Sequence, residues 1–266
     1  MKLYNKILHS RPFFLIAGPC VIENYDITMR VAEKLTELTS QRGLTFIYKS
    51  SYLKANRTSE SSFSGLGQEE GLKILSRIKH ALDIPILTDI HEAEEADITA
   101  EVADIIQIPA FLSRQTFLLK AAARTNRIVN IKKGQFMAPE DMSSVTEKIL
   151  AENNSQILLT ERGTFFGYHN LVVDFRSFPI MKQLGYPVVF DITHSLQMPS
   201  ISKVSGGTPE LAPMMAKAGL ATGMVDGLFL ETHPEPAEAL SDGMSMIKLE
   251  LLSQILDGLL ELVERS

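Results

Sequence analysis

The segment Phe13–Asn24, FFLIAGPCVIEN, decides between two architectures. It opens as a continuous apolar run, the pattern of a parallel strand covered on both faces. It then turns through Gly18, Pro19 and Cys20. A doubly wound open sheet would place a glycine-rich phosphate turn after its first strand. AGPCVIEN supplies none. The same stretch holds the chain's one cysteine, with a carboxylate at Glu23 just beyond it.

Working outward, apolar runs alternate with amphipathic segments along the whole chain. The expected strands read FFLIAGP, LTFIYKS, PILTDI, DIIQIP, IVNIKK, QILLTER, PVVFDIT and GLFLET. Helical spacing of apolar residues marks DITMRVAEKLTELTSQ, GQEEGLKILSRIKHAL, RQTFLLKAAART, PEDMSSVTEKILAEN and the final IKLELLSQILDGLLELVERS. About eight strand–helix pairs in roughly 250 residues fit an α/β fold of the (β/α)8 TIM-barrel type. No linker or low-complexity segment interrupts the pattern. Residues 1–266 therefore read as a single barrel domain, with a short N-terminal extension over 1–12.

The chain has 266 residues, 45% hydrophobic and 22% charged, and a formal net charge of -6. That balance is ordinary for a globular protein and argues against nucleic acid as a partner, which would want a basic face. A single cysteine cannot form an internal disulfide and suits a reducing, cytoplasmic setting. The apolar run at the N-terminus is too short for a signal core and follows Arg11 and Pro12; Pro19 stands where a lipoprotein signal needs a small residue. No stretch is long and apolar enough to expect a membrane span.

Barrel enzymes do their chemistry at the C-terminal ends of the strands. Those ends carry Cys20, Lys49, Asp89, Gln107, Lys132, Arg162, His194 and Glu231. In a closed barrel all eight share one rim. Lys49, Lys54, Arg57, Lys132 and Arg162 are cationic; an acidic protein that gathers cations at one mouth is built to hold an anion, phosphate above all. Cys20, His194 and Glu231 are metal-ligand types, and Asp242 adds a second carboxylate. Such a set suits a divalent first-row metal such as zinc, iron, manganese or cobalt. Bland alternatives stand beside this. A cysteine at a strand end is often a small buried hydrophobe, THS around His194 can cap a strand, and each lysine alone can be a solvated charge. DIHE at Asp89–Glu92 is not a helical zinc motif, because no second histidine follows His91 at the right offset.

From KANRTS, Lys54–Ser59, a resemblance emerges. With AGPC, LTDIHE, DIIQIPAFLSRQT, NIKKGQF, LTERGTFFGYHNLVVDFRS, FDITHS and ETHPEP, the chain resembles the 3-deoxy-D-manno-octulosonate 8-phosphate synthases from about Phe14 to its last helix. The resemblance implies a (β/α)8 barrel, typically a homotetramer. It implies condensation of phosphoenolpyruvate with D-arabinose 5-phosphate and release of phosphate, in lipopolysaccharide inner-core synthesis. Cysteine in the GPC position implies the metal-dependent branch, with Cys20, His194, Glu231 and Asp242 as ligands. Lys49, Lys54, Gln107, Ala110, Lys132 and Arg162 resemble the phosphoenolpyruvate site. Asn56, Arg57, Thr58 and Ser59 resemble the pentose-phosphate loop, Asp89 and Phe111 the sugar pocket, and Arg114 an arginine that reaches a neighbouring subunit's site. His194, Asp242 and Asp89 are candidate bases for the attacking water.

Some positions depart from the family pattern. Leu53 stands where an aspartate usually precedes KANR, Ser61 or Ser62 and Ser64 replace a histidine and an arginine, and Phe117 replaces an aspartate. The loop SLQMPSISKVSGG after His194 is close to the usual form. Three other readings compete. The 3-deoxy-D-arabino-heptulosonate 7-phosphate synthases share GPC but carry KPRTS, so Asn56 argues against them. A Schiff-base aldolase would use Lys49 or Lys132. A phosphosugar-binding barrel without catalysis is motivated by Ser64 and Phe117.

Overall fold

The computed structural model describes residues 2–55, 63–198 and 206–264. Eight strands form its centre: β1 (Phe14–Gly18), β2 (Thr45–Lys49), β3 (Ile86–Asp89), β4 (Ile105–Ile108), β5 (Ile128–Lys132), β6 (Ile157–Glu161), β7 (Val188–Asp191) and β8 (Gly227–His233). Each pairs in parallel with the next, and β8 returns to β1 in the register Phe14↔Gly227 to Gly18↔Glu231. The sheet is thus closed, which removes its edges. All eight expected strands are present, and the fold is a TIM barrel of one domain.

Side chains alternate across each strand, and the inward ones form two levels. Phe14, Ile16, Ile47, Leu87, Ile105, Ile128, Leu158, Val189 and Phe229 make one buried apolar cluster with Ile7 of helix α1 (Lys2–Leu8). Two residues further along the same strands the interior turns polar: Lys49, Asp89, Gln107, Asn130, Thr160, Asp191 and Glu231 are all buried. The barrel therefore has an apolar floor and a polar mouth. The outward strand faces join the helices in a second, larger core.

Helix α2 (Tyr25–Gln41) starts where the opening segment ends: the Asn24 side chain accepts a hydrogen bond from Ile27 N at 2.9 Å. α3 (Gln68–Leu82), α5 (Thr116–Arg124) and α6 (Met142–Leu150) match the periodic segments. α4 (Ala96–Val102), α7 (Ser177–Lys182) and α8 (Ala212–Ala221) complete the ring and are too short or too evenly apolar to stand out by period. The final helix α9 begins at Leu252 rather than Ile247. Ile247 and Lys248 instead extend the pairing of β8, and Thr232 Oγ1 donates to Ile247 O at 2.8 Å. Among the described residues no helix is long and apolar enough to cross a membrane.

Candidate active site at the barrel mouth

Cys20 lies two residues past β1, where the chain can approach β2 only through a glycine: a Cβ on Gly18 would collide with the Lys49 carbonyl oxygen. Its Sγ lies 3.0 Å from Ser241 Oγ and donates to Asp242 Oδ2 at 3.2 Å. Glu231 joins them from β8, and the ligand atoms of Cys20, Glu231 and Asp242 lie within 4.8 Å of one another. Asp242 adopts a left-handed backbone, φ 49°, a conformation that a non-glycine residue keeps only where its surroundings hold it. Glu231 Oε2 is buried with no hydrogen-bond partner among the described residues. A buried acceptor left open in this way is costly, and a cation would satisfy it. His194 Nε2 is 3.7 Å from Glu231 Oε1. The described residues thus bring three of the four expected ligands into one cluster and the fourth to its border.

The electrostatics agree. Burial raises the Cys20 thiol well above its ordinary value, and the Asp242 and Glu231 charges raise it further. Burial would likewise raise Glu231, but Lys49, His194 and Lys54 more than offset it and hold that carboxyl well below the usual range. The site is therefore a set of fixed negative charges beside a thiol that needs a cation to ionise.

Lys49 ends β2 and donates to Glu231 Oε1 at 2.6 Å and to Cys20 O at 3.1 Å. Lys54 stands 3.8 Å from the same carboxylate. Lys132 ends β5, pairs with Asp191 and lies 3.2 Å from the centroid of the Phe229 ring, which floors the mouth. Burial pushes Lys132 down to about 8, against the pull of Asp191. Arg162, one residue past β6, donates through Nη2 to Gln197 Oε1 at 3.1 Å, while its buried Nη1 has no partner among the described residues. A guanidinium edge left open and out of water is an anion site in waiting.

Asp89, at the end of β3, accepts from Ser51 Oγ at 2.5 Å and faces His91 Nε2 at 3.2 Å. Gln107 accepts from Asn130 Nδ2 at 3.0 Å, and Asn130 accepts in turn from Thr160 Oγ1 at 2.6 Å. Ala110, itself buried, opens a 3-10 turn, Ala110–Leu112, after β4. Phe111 and Arg114 are exposed on the same connection. Asn56, Arg57, Thr58 and Ser59 lie outside the described residues, as do Ser61 and Ser62. The root of their loop is described: Leu53 pairs with Gly65 and packs on the core, and Lys54 N donates to Ser64 O at 2.7 Å. Phe117 is 84% exposed.

Several residues of this mouth escape the sequence reading. Asp191 is the foremost: its Oδ1 accepts from the His194 and Thr193 amides at 2.8 and 3.0 Å, and its Oδ2 from His194 Nδ1 at 2.8 Å and from Lys132. It thereby fixes His194 with Nε2 turned towards Glu231. Thr193 Oγ1 accepts from Glu231 N at 2.8 Å. Half-buried His91 and Glu95 form a second set with buried Asp89 and Tyr52, whose hydroxyl donates to Glu95 Oε2 at 2.7 Å. For Asp191 the signal in sequence is a lone polar residue inside an apolar strand run, which must be paired once buried.

Residues 6–265 match the DAHP synthetase I family. The chain is 53% identical over 255 residues to the 2-dehydro-3-deoxyphosphooctonate aldolase of Geotalea uraniireducens, covering 96% of this chain and 93% of that protein. The namesake proteins of Geobacter sulfurreducens and a Cyanothece species are each 52% identical, over 96% and 94% of this chain and 93% and 92% of theirs. A likeness of this depth, running end to end through every strand that builds the mouth, places the chain in the DAHP synthetase I family, with the 2-dehydro-3-deoxyphosphooctonate aldolases.

Proposed function

We propose that this enzyme condenses phosphoenolpyruvate with D-arabinose 5-phosphate and water to give 3-deoxy-D-manno-octulosonate 8-phosphate and inorganic phosphate, for lipopolysaccharide inner-core synthesis in the cytoplasm. The observation that carries the reading is end-to-end similarity to aldolases of that product, joined to a mouth that gathers Lys49, Lys132 and Arg162 beside Cys20, Glu231 and Asp242.

Lys132, Lys49 and the open edge of Arg162 receive the phosphate and carboxylate of phosphoenolpyruvate, with Lys54, Gln107 and Ala110 around them. Asn56, Arg57, Thr58 and Ser59 take the sugar phosphate, and Asp89 and Phe111 line the sugar. Carbon 3 of phosphoenolpyruvate attacks the sugar aldehyde, water adds at carbon 2, and the resulting hemiketal phosphate loses phosphate. Cations that hold two anions in attack geometry supply much of the rate and reduce their repulsion. His194, Asp242 and Asp89 are the candidates to take the proton of the attacking water.

The donor set fits a divalent metal of the zinc, iron, manganese or cobalt type, held by Cys20, His194, Glu231 and Asp242; the open Glu231 Oε2 supports this. When bound, such an ion orients the aldehyde or acidifies water as a Lewis acid. The working form is a homo-oligomer, a tetramer by resemblance, with Arg114 crossing to a neighbouring site. Exposed Phe111, Phe166 and Tyr168, on connections that follow β4 and β6, and Phe117 in the first turn of α5 support a covered face there.

The test is phosphate release from phosphoenolpyruvate with arabinose 5-phosphate and, separately, erythrose 4-phosphate, before and after chelation and metal add-back. Release with the five-carbon sugar alone, lost on chelation and restored by a divalent ion, is expected. Equal release with erythrose 4-phosphate overturns the sugar assignment, and activity that survives thorough chelation overturns the metal.

A further inference from the structure

Glu23 is the penultimate residue of the opening segment, three residues past Cys20, and no step above uses it. Its side chain is 7% exposed. One oxygen, Oε1, reaches across 217 positions of chain to accept from Leu240 N at 2.9 Å. The same oxygen is 3.7 Å from His233 Nε2. His233 Nδ1 accepts from Glu235 N at 3.1 Å, so the ring proton of the neutral imidazole sits on Nε2 and faces Glu23. Nε2 has no other partner among the described residues.

The two contacts bracket one loop. Glu235 and Leu240 lie on the connection that leaves β8 and delivers Ser241 and Asp242 to the Cys20 thiol. That loop is folded tightly on itself: a Cβ on Gly243 would collide with the Pro236 carbonyl oxygen. Its Asp242 holds a left-handed backbone, which a free loop would relax. Leu240 itself is half exposed and contributes little packing. The carboxylate under the Leu240 amide therefore supplies the anchor that packing does not.

We infer that Glu23 is a positioning residue for the Cys20–Glu231–Asp242 centre. One short segment after β1 carries both the thiol and the carboxylate that pins the opposing loop, so Cys20 and Asp242 are set at a fixed separation before any ion arrives. Preorganisation of this kind removes the cost of ordering Asp242 at the moment of binding, and partners outside the ligand shell are typically worth about ten- to a hundredfold in metal affinity. The inference rests on the metal reading proposed above.

The experiment is titration of the metal-free, full-length protein with cobalt(II), in wild type, Glu23→Gln, Glu23→Ala and Cys20→Ser. Thiolate-to-cobalt charge-transfer absorption reports the centre, and competition with a chromophoric chelator gives the affinity. Hydrogen exchange of peptides spanning 235–245 is followed on the same metal-free samples. The expected result is faster exchange confined to that loop and cobalt binding about ten- to a hundredfold weaker in Glu23→Ala. Glu23→Gln, which keeps an acceptor for Leu240 N, falls between. Unchanged loop exchange or unchanged affinity in Glu23→Ala overturns the inference, and so does protection lost across the whole chain in both Glu23 variants. If wild type shows no charge-transfer band and Cys20→Ser binds equally well, the metal reading fails instead.

Discussion

Asp191 binds Lys132 and His194 through one carboxylate oxygen: Oδ2 accepts from His194 Nδ1 at 2.8 Å and from the Lys132 ammonium. The residue joins the cationic side of the mouth, at Lys132, to His194 beside the Cys20, Glu231 and Asp242 cluster. Burial would raise its pKa, but the His194 and Lys132 charges hold it well below the carboxylate range. Asp191→Asn keeps the shape and loses the charge, and its single carbonyl oxygen cannot serve two side chains and two amides. We expect kcat/KM to fall on the order of a hundredfold with the far-ultraviolet circular dichroism unchanged. Steady-state kinetics on both substrates check this, and a variant within twofold of wild type sinks the bridging role.

Arg162 offers a second test. Its unpartnered Nη1 is buried, and lysine cannot reproduce the fork of a guanidinium. Arg162→Lys should raise the KM for phosphoenolpyruvate by about tenfold or more, in line with loss of about 1.5–3 kcal/mol of charged hydrogen bonding, and leave the KM for arabinose 5-phosphate near its starting value. Equal changes in both would place Arg162 elsewhere in the mouth.

Metal binding should depend on pH with a definite sign. The buried Cys20 thiol, raised by burial and by Asp242 and Glu231, is protonated in the metal-free enzyme at neutral pH. Coordination must release that proton, so affinity rises with pH, about tenfold per unit while one proton leaves. Cobalt(II) titrations over a pH series measure the slope. Cys20→Ser should flatten it.

His91 sets a pH limit on stability. Burial lowers its pKa, but the Asp89 and Glu95 carboxylates that face its ring outweigh this and raise it from 6.5 to about 9. Because the folded value lies above the unfolded one, the contribution is full below pH 6.5 and is lost as pH rises through about 9. His91→Asn should destabilise the fold by on the order of 2 kcal/mol at the acid end of that window and by little above it. Denaturant midpoints across the window would reveal a pH-independent difference if the ion pair carries no weight.

The barrel was readable because strands covered on both faces leave continuous apolar runs, and because Cys20, Lys49, Asp89, Lys132 and Glu231 break those runs at their last inward position. Asp191 breaks its run in the same way, but inside PVVFDIT it is not the terminal residue, and His194 three residues on is the more familiar ligand type. Asn130 lies mid-run in IVNIKK, two residues before the more conspicuous Lys132. The ties from Asp89 to His91 and from Glu23 to Leu240 depend on loop paths that no local pattern encodes. Helix α7 is six residues long with Pro179 inside it, too short for a period to register. The shortened α9 reflects a strand extension over Ile247 and Lys248 that competes with helix formation.

The two-level interior has a consequence for engineering. Ile47 and Lys49, Leu87 and Asp89, Val189 and Asp191, and Phe229 and Glu231 are pairs two residues apart on single strands, one member in the floor and one in the mouth. A random-mutagenesis library should therefore sort by depth rather than by strand. Floor variants should lose heat tolerance with turnover per folded molecule intact, and mouth variants the reverse. Helix α1, seated under the floor through Ile7, is then the place to add thermal robustness without touching the chemistry.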